Sequence, residues 1–104
     1  MKFSINRCVF NHITSSPSYI KTKVITLIYR SYGADCLGFV VPRVLGPANQ
    51  RNRFRRQCRG AFNVIHYNNN IASVGIIVKP KSMDITYSQI EGAFNKLSNK
   101  LLKN

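Results

Sequence analysis

The groups able to do acid–base or metal chemistry in this chain are few. Asp35, Asp84 and Glu91 are the only carboxylates, His12 and His66 the only imidazoles, and Cys8, Cys36 and Cys58 the only thiols. A two-metal nuclease or polymerase site needs several converging carboxylates, and a glycosidase or aspartic dyad needs a close pair. Three scattered acids supply neither. The cysteines are odd in number, with no C-x-x-C, and the histidines stand in no zinc-finger register. Ordinary buried thiols in a reducing compartment are therefore the expectation. A His12–His66 acid–base pair for RNA hydrolysis would need the two brought within hydrogen-bond reach, and no sequence feature does this. No catalytic residue and no metal-ligand set is assigned.

Cations are the opposite case. The chain has 104 residues, with 16 Lys and Arg against 3 acids and a formal net charge of +13. That balance points to a polyanionic partner, with nucleic acid foremost. Five of the arginines fall between positions 51 and 59, in RNRFRRQCR. At helical spacing Arg51, Arg55, Arg59, Asn52 and Arg56 share an arc of roughly 140°, and Arg53 lies just beyond it. A solvated charged face usually mixes signs, with acids at i+4 relieving the bases. Here no acid occurs between Asp35 and Asp84, so the face suits phosphate, onto which arginine forks two donors.

The elements that must carry these groups follow from apolar periodicity. Ile5, Val9, Phe10 and Ile13 mark a first helix, ended by Thr14 to Ser18. Lys23 to Tyr29 is β-branched and aromatic and reads as a strand, with Tyr19-Ile20 a candidate for one short strand more. Arg30 to Asp35 is a turn, and Leu37 to Val44 a second strand, in which Pro42 marks an edge, bulge or end. Gly46-Pro47 opens the arginine helix. Its apolar stripe is Phe54, Cys58, Ala61 and Ile65, and His66-Tyr67 and Asn68-Asn69-Asn70 close it. Ile71 to Val78 is a strand. Thr86-Tyr87-Ser88-Gln89 fits a capping box, and Ile90, Phe94, Leu97 and Leu101 form the apolar face of a last helix. One α+β domain over 1–104 results, in the order α-β-β-(β)-α-β-α. No stretch is long and apolar enough for a membrane span, so no membrane partner is expected. The expected compartment is the cytoplasm, although an acid-free N-terminus with Lys2 and Arg7 also suits an organelle-targeting peptide.

Arg51-Asn52-Arg53-Phe54-Arg55-Arg56-Gln57-Cys58-Arg59 resembles the RNR motif of the bacterial ribonuclease P protein subunit. Gly38-Phe39-Val40-Val41-Pro42-Arg43-Val44-Leu45-Gly46 resembles that family's preceding strand and glycine turn. Ile76-Ile77-Val78-Lys79 and Ile85-Thr86-Tyr87 resemble its last strand and final helix start, and Phe10 and Ile13 fit its first helix. The likeness covers roughly residues 5 to 102. It implies an α/β sandwich with a left-handed βαβ crossover, which strand order alone could not show, since right-handed crossovers dominate. It implies a subunit that is itself non-catalytic, monomeric within the complex, and partnered by the catalytic RNA and precursor tRNA. The RNA would perform the endonucleolytic removal of the 5′ leader with Mg²⁺ that it mainly holds itself.

Carried over by position, the resemblance gives Arg43, Arg51, Asn52, Arg53, Arg55, Arg56, Arg59 and Lys79 as RNA-binding residues. It gives Phe10, Ile28 and Val40 as leader-cleft positions. The departures gather in that cleft. Thr14 replaces a second helix aromatic, Pro17 a turn glycine and Ile28 a strand tyrosine. Val44 replaces a lysine, and Val40 and Pro42 replace small polar residues. Tyr29 could stand in for the tyrosine only if the strand register slipped. Two rivals are a structural RNA-binding protein of ribosomal type and a protein-only nuclease using histidines. A DNA-binding helix-turn-helix is disfavoured, because no partner helix immediately precedes the basic one.

Overall fold

A computed structural model of the chain describes residues 7–31, 36–69 and 74–102, with side chains at 10–30, 36–65 and 74–101. The elements are α1 (Arg7–Ser15), β1 (Ser18–Lys21), β2 (Ile25–Ser31), β3 (Cys36–Phe39), a 3₁₀ turn (Arg43–Leu45), α2 (Ala48–Asn69), β4 (Val74–Pro80) and α3 (Tyr87–Leu102). The four strands form one mixed sheet in the order β1-β2-β4-β3. β2 runs antiparallel to both β1 and β4, while β3 and β4 are parallel and joined through α2.

Strand alternation sorts the sheet into two faces. Leu27, Tyr29, Leu37, Val74, Ile76 and Val78 point to one side and pack with Phe54, Cys58, Phe62, Ile90, Phe94 and Leu97 of α2 and α3 as the main core. Ile28, Cys36 and Ile77 point to the other, where they meet Ile13 of α1 in a smaller cluster. α1 lies close on the sheet because position 75 has no side chain. A Cβ there would sit 2.6 Å from Ile13 Cδ1 and 3.0 Å from its Cγ1. Tyr29 is buried in the main core, so the register has not slipped and Tyr29 does not stand in for Ile28.

Several boundaries differ from the sequence reading. The first helix continues through Thr14 and Ser15 because both hydroxyls bond back to it, Thr14 Oγ1 to the Phe10 carbonyl at 2.9 Å and Ser15 Oγ to that of His12 at 2.8 Å. β2 extends over Arg30 and Ser31, which were expected in a turn, while 32–35 lie outside the described residues. The second expected strand, Leu37 to Val44, stops at Phe39. After Val40 N–H donates to Val78 O at 2.9 Å, Pro42 has no N–H to offer the ladder, and Arg43–Leu45 coil into the 3₁₀ turn. The short strand suggested at Tyr19-Ile20 is β1. α2 runs on through Asn68 and Asn69 where a loop was expected, and 70–73 lie outside the described residues. The apolar face of α2 also includes Phe62, 6.2 Å from Phe94 between ring centroids, because α3 packs against that side and widens it. The capping box holds: Gln89 N–H donates to Thr86 Oγ1 at 3.3 Å and Thr86 N–H to Gln89 Oε1 at 2.9 Å.

Candidate nucleic-acid interface

α2 starts where the 3₁₀ turn delivers the chain, and Pro47 caps it with a carbonyl that accepts from Gln50 and Arg51 N–H, both at 3.1 Å. A Cβ at Gly46 would lie 2.7 Å from Gln50 Oε1, the end of an exposed flexible side chain, and 3.1 Å from Met83 Cγ. The first turn of α2 carries no acid. Around the helix, Asn52, Arg53, Arg56 and Arg59 are exposed, whereas Arg51 and Arg55 are half-buried. The outward face is thus centred nearer Arg56 than the sequence arc suggests, and it includes Arg53. Arg51 Nε donates to Gly46 O at 3.1 Å, tying the helix to its own entry, and Arg55 donates to Asn52 Oδ1 at 2.9 Å. The Arg59 guanidinium sits 5.4 Å from the Phe39 ring centroid, and Phe39 in turn meets Phe54 edge-on at 6.4 Å. Beside the helix a cavity of about 480 Å³ has Arg53, Gln50 and Gln57 on one wall, Phe54 in its lining and Asp84 and Met83 opposite. Cys58 lies under the same helix, and burial pushes its thiol far above the usual range against a smaller opposing effect of Arg59. It is a packing residue rather than a nucleophile.

The other face of the sheet is only partly covered. Strand pairing sets Tyr19, Ile28, Ile77 and Gly38 in one row across all four strands. The next row toward the β3 C-terminal end is Lys21, Thr26 and Lys79. α1 closes the opposite end, held by Ile13 over Gly75 and by Arg30, whose guanidinium donates to His12 O at 2.9 Å and Ser15 Oγ at 2.8 Å. Lys21 and Lys79 are exposed. Tyr19 is 47% exposed and Phe10 on α1 is 38% exposed. A half-open groove with aromatic and basic groups and no carboxylate among its described residues is suited to a single-stranded polyanion.

A family model described as Ribonuclease P matches residues 5–102. The chain belongs to this family. Solved structures agree in fold. The ribonuclease P protein of Thermotoga maritima superposes with a TM-score of 0.73 at 21% identity, covering 93% of this chain and 96% of that one. A Staphylococcus aureus ribonuclease P protein gives 0.73 at 23%, covering 99% and 97%. A Staphylococcus aureus mutant described as defective in mRNA degradation activity gives 0.75 at 25%, covering 97% and 88%. No curated protein sequence matches the chain.

Within the ribonuclease P frame, the sequence-assigned residues divide between the two surfaces. Arg51, Asn52, Arg53, Arg55, Arg56 and Arg59 share α2, and Arg43 is exposed in the turn leading into it. Lys79 does not join them: alternation turns it to the α1 face, in the row with Thr26 and Lys21. Val44, where the resemblance places a lysine, is 90% exposed, so that position faces outward without the charge. Of the cleft positions, Phe10 is accessible, Val40 packs beside the small cluster, and Ile28 is buried within it. Tyr19 and Lys21 were not singled out from sequence. Alternation along β1 was the available signal, but their meaning depends on which β2 residues they face. α1 and α2 lie on opposite sides of the sheet, so His12 and His66 belong to elements that the sheet separates. Among the described residues no three His, Cys, Asp or Glu side chains gather in a metal-binding group, and no helix is long and apolar enough to cross a membrane.

Proposed function

We propose that this chain is the protein subunit of a ribonuclease P holoenzyme, binding the catalytic RNA through the outward face of α2 and the 5′ leader of precursor tRNA in the half-open groove beside α1. The observation that carries the reading is the pairing of two distinct surfaces on one small sheet. One is a rigid arginine helix without acids, and the other is an open groove with exposed aromatics and lysines. Phosphates of the RNA subunit are neutralised by Arg53, Arg56 and Arg59, with Asn52 and Arg43 alongside. In the groove, Lys79 and Lys21 meet the leader backbone and Phe10 supplies apolar contact.

The chemistry belongs to the RNA. Mg²⁺ is usually held by one or two carboxylates together with substrate phosphates and waters rather than by an all-protein cage. The two described carboxylates, Asp84 before α3 and Glu91 on it, belong to no group of three or more His, Cys, Asp or Glu side chains among the described residues. The described residues thus offer no cluster of ligands that would hold Mg²⁺ without RNA, and the ion is assigned mainly to the RNA subunit. This subunit contributes position and charge. It works as a monomer within the complex, in the cytoplasm or an organelle that holds the RNA partner. The family match favours this reading over a ribosomal-type RNA-binding protein, which would bind RNA without affecting cleavage.

The test is cleavage of precursor tRNA by a bacterial-type ribonuclease P RNA at low Mg²⁺, with and without the protein, beside a protein-only control. Stimulation that requires both RNA and protein is expected. Tight RNA binding with no stimulation, given the cognate RNA, would refute the holoenzyme role, as would cleavage by protein alone.

A further inference from the structure

The row Tyr19–Ile28–Ile77–Gly38 spans the groove floor from one sheet edge to the other. Its centre is closed: Ile28 and Ile77 are buried with Ile13 and Cys36. A base laid against Ile28 would have to displace α1. The first large apolar surface open to solvent in that row is the ring of Tyr19, 47% exposed. Among the described residues β1 is an edge strand, with β2 on one side and no strand beyond it, so a single strand can reach this ring without crossing another described strand. The Lys21 ammonium lies 5.4 Å from the ring centroid, on the same sheet face and in the row shared with Thr26 and Lys79.

We infer that Tyr19, supported by Lys21, is a base-stacking subsite for the precursor-tRNA leader on the β1 edge of the groove, supplying the aromatic surface that Ile28 does not. The inference rests on the leader-groove reading above and adds a residue to it. One face of the ring meets the lysine, which also neutralises an incoming phosphate; the other face accepts a base. Stacking of this kind tolerates any base, because every base has a π-face. The subsite therefore adds affinity without sequence preference. Relative to a groove centred on β2, it moves the leader's path one strand outward.

The experiment uses holoenzyme reconstituted from the full chain and a bacterial-type ribonuclease P RNA. Its substrates are precursor tRNA with a leader of several nucleotides and the same tRNA without one. The wild-type complex should bind the leader-bearing form more tightly, and Tyr19→Ala should remove roughly tenfold of that difference. Tyr19→Phe should retain it, and the affinity of both variants for the RNA subunit should be unchanged. The chain has no tryptophan, so Tyr19→Trp gives a single reporter whose emission should fall with the leader-bearing substrate and not with the leaderless one. A full leader advantage in Tyr19→Ala, or equal emission with both substrates, would overturn the subsite while leaving the groove reading intact. No leader advantage in the wild-type complex would overturn both.

Discussion

Replacing Arg53 and Arg56 by alanine separates specific phosphate contact from general positive charge. Both side chains are exposed on the outward face of α2, whereas Arg51 and Arg55 are half-buried and bonded to Gly46 O and Asn52 Oδ1. The pair can therefore be removed without breaking an internal hydrogen bond of the helix. Each lost phosphate contact lowers the slope of log affinity against log salt by about 0.7 to 0.9, so two should lower it by roughly 1.6 on the same scale. Between 50 and 200 mM salt, a fourfold change, the affinity gap between wild type and double variant should shrink by roughly tenfold. The assay is titration of the ribonuclease P RNA with protein at several salt concentrations. Lys96→Ala, which removes an exposed charge from α3, is the control and should leave the slope unchanged. Parallel salt lines for wild type and double variant would refute the contact assignment. An equal drop in slope for Lys96→Ala would show that diffuse charge, not the helix face, carries the binding.

Two further predictions concern the scaffold. Gly75→Ala places a methyl against Ile13, which is fully buried, so one of the two must shift. Overpacking of this kind costs about 1–3 kcal/mol, only partly offset by about 0.4–1 kcal/mol from reduced freedom of the unfolded chain. Urea unfolding should show the loss, and Ile13→Val should recover part of it by removing the Cδ1 atom; strict additivity of the two changes would contradict the contact. The Cys58 thiol, pushed up by burial, stays protonated in the fold while the unfolded chain ionises above the ordinary thiol range near 8.5. The unfolded state then binds fewer protons, so this group's contribution is fully present below that range and falls as pH rises above it, approaching about 1.4 kcal/mol per unit. Unfolding free energies of wild type and Cys58→Ala measured from pH 8 to 10 should converge with rising pH, and a constant difference would exclude the effect.

The arginine face was legible because it depends on residue types and on the absence of acids, both visible without a fold. The capping box at Thr86 and Gln89 was legible for the same local reason. The end of β3 was legible only in part: Pro42 marked an edge, bulge or end, as β3 bears out, but Val40, Val41 and Val44 continue a β-branched pattern that hides where the strand stops. Phe62 escaped the α2 stripe because the side it faces becomes apolar only where α3 docks. Lys79 was grouped with the arginines by family position, yet strand alternation turns it to the other face. Tyr19 shows the deepest limit. It lies nine positions from Ile28 in the chain, and only the β1–β2 register makes them neighbours.

The seat of α1 on Gly75 also constrains the order in which substitutions can accumulate. A side chain at 75 costs less once position 13 has given up its terminal methyl. The opposite order passes through an ancestor with two groups in one space. The first helix can thus drift by shrinking first, whereas the strand beneath it changes at lower cost afterwards. In diverging lineages of this subunit, an alanine at 75 should be found with a smaller partner at 13, and a smaller residue at 13 should often be found with the glycine still in place.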